Sequence, residues 1–142
     1  MVAKQLSVFI ENRKGRLGEV LGVLKENNIN ILSLSLADTT EYGLLRLIVS
    51  DAELSKEKLS KAGFSTILSD VLVVKISHET GRLQTLLDVL SKGDINVEYM
   101  YGLSIKGADA FVVVKPSDLQ KAEKIMTDAG AKTVSSQEIS KL

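Results

Sequence analysis

The sequence predicts an α+β fold. Two ferredoxin-like βαββαβ units, residues 1–70 and 71–142, stand side by side and form an eight-stranded antiparallel sheet with its helices on one face. Three observations lead there. Gly15-Arg16-Leu17 recurs as Gly81-Arg82-Leu83, and Ile29-Asn30 recurs as Ile95-Asn96, all at an offset of 66 residues. The apolar positions between them match too: Leu17, Val20, Leu21 and Leu24 against Leu83, Leu86, Leu87 and Leu90. A period of nearly half the chain is too long for a solenoid repeat and fits two copies of one small domain. Each copy also reads strand, helix, strand, strand, helix, strand, the split βαβ order.

In the first copy, Leu6 to Ile10 is short and β-rich and reads as a strand. From Leu17 the apolar residues fall at i, i+3, i+4 and i+7, an amphipathic helix that closes at Glu26-Asn27-Asn28. Ile29 to Ala37 and Leu44 to Ser50 are strands around a polar turn, Asp38 to Gly43. Ala52 to Ala62 is helix-forming, with Gly63 as its stop, and Phe64 to Leu68 is the fourth strand. In the second copy, Val71 to Ile76, Ile95 to Leu103, Ala110 to Lys115 and Ala131 to Ser135 are strands, with a turn at Lys106 to Asp109. Its helices are Arg82 to Ser91 and a stretch opened by the N-cap signal Ser117-Asp118 and closed by Gly130. The offset grows from 66 to 67 between Lys115 and Gly130, which places a one-residue insertion there. Right-handed crossovers set the first and third strands of each copy at the centre. The second strands, Ile29–Ala37 and Ile95–Leu103, are then edges whose mutual pairing would fuse the two sheets.

Composition narrows the function. Basic and acidic residues balance at 18 each, so no electrostatic footprint points to nucleic acid or to an anionic membrane. The chain has no Cys, which removes disulfides, thiolate metal sites and a Cys nucleophile. No apolar run is long enough to span a bilayer, and Met1 to Gln5 shows no signal-peptide pattern. A cytoplasmic protein is expected.

Gly15 and Gly81 each stand where a strand hands over to a helix. The first helical N–H groups have no partner within the helix and, with the helix dipole, attract an anion such as a carboxylate. Asn30 and Asn96 add amides that accept from an ammonium and donate to a carboxylate. Asn is also an ordinary corner residue, and Gly an ordinary turn residue.

Gly15-Arg16-Leu17 with Ile29-Asn30-Ile31, and Gly81-Arg82-Leu83 with Ile95-Asn96-Val97, resemble the ACT domain, here as a tandem pair over roughly residues 5–70 and 71–138. The resemblance implies a regulatory protein that binds a free amino acid at an interface between paired domains. The ligand would lie between the loop before the first helix of one domain and the second strand of the other. Two sites follow from it. One combines Asn12, Arg13, Lys14, Gly15, Arg16 and Leu17 with Asn96 and Val97. The other combines His78, Glu79, Thr80, Gly81, Arg82 and Leu83 with Asn30 and Ile31. The family often has Pro directly before the Gly, where Lys14 and Thr80 stand here. A serine-binding branch has a His where this chain has Ile10, so serine is not indicated. Differing loops imply two unequal sites.

His78 is the sole histidine, so it reads as a ligand contact or a solvated loop residue; a general base would need an orienting carboxylate and a reacting proton in reach. No ligand spacing suggests a metal, no cofactor is implied, and neither Gly loop has a nucleotide fingerprint. Tyr99 and Tyr101 alternate along one strand, with Ile105 and Phe111 near in sequence. They form a candidate homodimer surface or a wet sheet face. The expected protein is therefore no enzyme. It is a homodimeric amino-acid sensor whose output passes to a regulated enzyme or other partner. The alternative is an interaction module with vestigial sites.

Overall fold

The structure, a computed structural model, describes residues 1–38, 41–77, 79–103 and 110–141. It divides into two compact units: Lys4–Ser69, and Asp70–Leu142 together with Met1–Ala3. His78, Ile105 and the expected turn at Lys106 to Asp109 lie outside the described residues.

The elements run β1 (Ala3–Glu11), α1 (Arg16–Glu26), β2 (Ile31–Asp38), β3 (Tyr42–Val49), α2 (Ala52–Lys61), β4 (Ser65–Ile76), α3 (Arg82–Lys92), β5 (Val97–Leu103), β6 (Ala110–Pro116), α4 (Leu119–Asp128), β7 (Lys132–Val134) and α5 (Ser136–Ser140). In the N-terminal unit the strand order is β2-β3-β1-β4; in the C-terminal unit it is β5-β6-β4-β7. Each unit thus centres its first and third strands, as the crossover rule requires.

Seven strands appear among the described residues where eight were expected, because the last strand of one copy and the first of the next run on as the single β4. Ser69 and Asp70 sit inside that strand, with no turn residue to break it. The expected pairing of the second strands is absent: among the described residues β2 bonds to β3 alone and β5 to β6 alone. The extra residue of the second copy is also not where the sequence suggested. Ala37 pairs with Leu44 and its counterpart Leu103 with Phe111, so the offset has already changed between β5 and β6.

The core of the N-terminal unit joins Leu6 and Val8 of β1, Val20 and Leu24 of α1, Leu45 and Leu47 of β3, Leu59 of α2, and Phe64. Its counterpart joins Leu72 and Val74 of β4, Leu86 and Leu90 of α3, Val114 of β6, and Ala122 and Met126 of α4. Of the stripes read from the sequence, Val20, Leu24, Leu86 and Leu90 are core, Leu17 packs against it, and Leu21, Leu83 and Leu87 are half-buried. Burying each such side chain is worth about 1.5–3 kcal/mol. Asp51 and Asp118 cap α2 and α4 by accepting from the N–H groups of Leu54 and Lys121. Ser135 caps α5 in the same way, through the N–H of Glu138, and Ile139 anchors that helix at 2% exposure.

Candidate functional site

The two Gly loops adopt one conformation. Gly15 has φ +89° and Gly81 φ +81°, both left-handed, and each is the N-cap of the helix that follows. A Cβ would meet nothing within 4 Å at either position, so the demand for glycine is torsional rather than steric. The first helical turn then leaves amides pointing out along the helix axis. Those of Arg16 and Arg82 reach back to the carbonyls of Arg13 and Glu79. The next two in each helix, Leu17 and Gly18 or Leu83 and Gln84, have no backbone acceptor among the described residues. Unmatched donors at the positive end of a helix dipole are what a carboxylate seeks.

The loop of the N-terminal unit is fixed in place. The Asn12 amide donates to the Glu41 carbonyl at 3.2 Å, and Arg13 Nε donates to Glu11 Oε2 at 2.8 Å. Asn12, Arg13 and Leu17 line one groove of about 90 Å³ together with Ile10, Glu11, Leu36, Asp38 and Gly43. Lys14 and Gly15 are exposed beside it. Sequence reasoning missed the contribution of Leu36, Asp38 and Gly43. The available signal was the alternation Leu34-Ser35-Leu36 running into a turn. Leu34 pairs with Leu47 and Leu36 with Leu45, whose side chains are core, so both leucines share the helix-covered face. They nevertheless remain 48% exposed at the sheet edge.

Arg16 has an internal job. Its guanidinium lies 4.4 Å from the centre of the Phe64 ring and pairs with Glu19. Arg82 runs instead beside Gly130, where its Nη2 is 3.8 Å from the position a Cβ would take. Ala131 stands at the position equivalent to Phe64, so no ring awaits Arg82 at that place.

Asn30 and Asn96 hold equivalent corners. The Asn30 amide donates to Ser50 Oγ at 2.9 Å, and the Ser50 amide returns a bond to the Asn30 carbonyl at 2.9 Å. Asn96 and Ser117 repeat this at 3.0 and 2.8 Å. The Asn side chains are exposed, and Ile31 and Val97 pack half-buried against their own cores. Asn30 and Ile31 line a depression of about 320 Å³ with Lys25 and Asn28; Asn96 lines one of about 240 Å³ with Ser91, Asp94 and Ser117. Within the N-terminal unit, Gly15 and Asn30 lie at opposite ends of α1, roughly 16 Å apart along an 11-residue helix. The structure therefore does not bring the loop and the Asn of one unit to a common site.

In the C-terminal unit, Glu79, Thr80 and Gly81 are exposed, and Arg82 and Leu83 half-buried. Thr85 returns both its amide and its hydroxyl to the Gly81 carbonyl at 3.0 Å. His78 is outside the described residues, and no cluster of three or more metal-ligating side chains occurs among those described. Tyr99 and Tyr101 do share a face: their rings stack with centroids 6.5 Å apart and planes 16° apart.

A repeated four-stranded unit, with a left-handed glycine at the mouth of its first helix, marks the chain as a tandem of one small domain type. The chain belongs to the ACT domain pair family, which it matches over residues 1–142. It is similar to a crystallised protein of Bacteroides thetaiotaomicron at 35% identity and TM-score 0.93, over 100% of this chain and 98% of that one. It also shares its fold with the regulatory subunit of aspartate kinase from Thermus thermophilus, in ligand-free form, at 15% identity and TM-score 0.63, over 89% and 91% of the two chains. The corresponding subunit from Thermus flavus gives 17% identity and TM-score 0.61, over 89% and 92%. No curated protein matches the sequence. No described helix is long and apolar enough to cross a membrane.

Proposed function

We propose that this protein is a non-catalytic regulator that binds a free amino acid at its Gly loops and reports the level of that amino acid to another chain. One observation supports the reading: Gly15 and Gly81 hold the same left-handed N-cap, and behind each stand two amides with no backbone acceptor among the described residues. The ligand carboxylate takes those amides. Asn12 to Leu17 form the first loop site and His78 to Leu83 the second. Asn30 with Ile31, and Asn96 with Val97, supply the amino end from a partnering domain. Ligand binding shifts the partner's equilibrium only by its differential affinity for two states, which makes the output a coupling free energy. A homodimer in the cytoplasm and a regulated enzyme as recipient belong to the same proposal.

Thermal shift against the twenty amino acids tests it. Ligand at 100 times its Kd adds about 2.7 kcal/mol of stability. Gly15→Val with Gly81→Val removes the shift while the fold persists. Unchanged affinity in that double variant overturns the site.

The interaction-module alternative is favoured by Leu34 and Leu36, each 48% exposed on an edge strand. It expects silence across the panel together with a stable complex in light scattering.

A further inference from the structure

We infer that two copies of this chain associate through the outer edge of β2, strand against antiparallel strand, about a twofold axis at Ser35. The inference rests on the reading above for its homodimer alone and names the surface. It pairs β2 of one copy with β2 of another, not β2 with β5.

An open sheet edge is a template for pairing, and proteins guard it with charge, proline, bulges or short length. β7 is 3 residues long, and β5 carries Glu98 and Gly102. β2 runs for 8 residues, with no proline and a charge only at its last, Asp38. Its bulge lies at the other end, between Ile31 and Ser33. Among the described residues β2 pairs with β3 alone, so its outer edge faces no strand. Leu34 and Leu36 stand exposed along that edge, on the helix-covered face.

The order of residues makes the edge complementary to itself. About a twofold axis at Ser35, Leu34 of each strand stands opposite Leu36 of the other, and the leucines of both copies shed water together. Centring on Leu36 instead sets Leu34 against Asp38, and centring on Leu34 sets Leu36 against the bulge at Leu32. Charge agrees with the first register. Lys25 lines the depression beside Ile31 at one end of β2, and Asp38 closes the other end; both are exposed. Antiparallel exchange brings Lys25 of each copy to Asp38 of the other, while the two Asp38 carboxylates stay about 20 Å apart. The Asn30 corner of each copy then comes to the Asp38 end of the other, which supplies a partnering domain of the kind the reading above calls for. The C-terminal unit has Ser91 in place of Lys25 and Gly102 in place of Leu36, so the surface belongs to the N-terminal unit.

The chain has no cysteine, so single-cysteine variants read the register directly. Ser35→Cys is expected to give a covalent dimer on oxidation, because directly opposed residues hold their Cα atoms about 4.5–5.5 Å apart, within disulfide reach. Ala37→Cys is expected to stay uncrosslinked, its two copies about 14 Å apart. Light scattering of the full parent chain gives a dimer, and Leu34→Lys with Leu36→Lys gives a monomer whose circular dichroism is unchanged. Lys25→Asp weakens the dimer by about 10-fold or more, since like charges then face each other, and Lys25→Asp with Asp38→Lys restores it. A monomeric parent, crosslinking of Ala37→Cys in place of Ser35→Cys, or a dimer that survives both lysines overturns the inference. The thermal-shift panel on the same parent separates the two readings. A shift in a monomeric parent overturns the surface and leaves amino-acid binding standing; a β2 dimer silent to all twenty amino acids keeps the surface and overturns amino-acid binding.

Discussion

Asn30 and Ser50 hold each other by two hydrogen bonds, amide to hydroxyl at 2.9 Å and amide to carbonyl at 2.9 Å, and so fix where β2 leaves its corner beside the end of β3. Asn96 and Ser117 do the same for β5 and β6. The clasp uses the backbone of each Asn and leaves its amide side chain in solvent. Removing the hydroxyl leaves an amide that water can partly satisfy at these exposed corners. Ser50→Ala and Ser117→Ala are each expected to lower stability by about 1 kcal/mol, the net worth of one hydrogen bond, as read from urea midpoints.

Glycines in and before α1 separate two causes of glycine usage. Gly15→Ala places a Cβ in the left-handed region and costs about 1–2 kcal/mol, although nothing stands within 4 Å of that Cβ. Gly15→Asn costs less, because Asn visits that region more readily. Gly22 is inside the helix with equally open space, so Gly22→Ala stabilises by about 0.5–1 kcal/mol. Thermal unfolding of the three variants should give two decreases and one increase.

Arg16 over Phe64 is a cation–π contact with a half-buried cation and a ring 5% exposed. A double-mutant cycle of Arg16→Gln with Phe64→Leu should return a coupling of about 1 kcal/mol. Arg16→Lys should not restore it, since an ammonium lacks the flat guanidinium that lies on a ring. No coupling is expected between Arg82 and Ala131.

Glu57 on α2 is held below the usual carboxylate range, first by its hydrogen bond to Lys61, then by the charges of Lys61 and Lys58. A lowered folded pKa means that the contribution to stability is complete above the ordinary value of 4.5 and fades as pH falls through the folded value. Glu57→Gln should therefore separate from the parent slightly near neutral pH and merge with it in strong acid. Added salt should shrink the difference, because the pair is fully exposed.

Periodicity and punctuation carried most of the fold. The Leu stripes of α1 and α3, the stops at Gly63 and Gly130, and the cap at Asp118 are local signals, and each stands where the sequence puts it. Failures came where the answer depends on what lies beside a segment. The two units do part between Ser69 and Asp70, yet β4 runs through both residues without a break, which no local signal announces. The α5 helix was overlooked even though Ser135-Ser136-Gln137-Glu138 spells a capping box. Of the candidate site, the loops were legible because glycine torsions are local. Leu36, Asp38 and Gly43 were not, since their approach to Asn12 and Leu17 follows from strand register. The separation of Gly15 from Asn30 was likewise invisible until α1 had a length and two ends.

The unbroken course of β4 also decides where this chain can grow. A residue added between Ser69 and Asp70 would turn every following side chain of the strand to the opposite face, sending Leu72 and Val74 out of their core. The one length difference between the copies is found instead between β5 and β6, in a connection that can lengthen without re-registering anything after it. Over generations the joint of the duplication is therefore expected to keep its length, while length changes between β5 and β6 are tolerated.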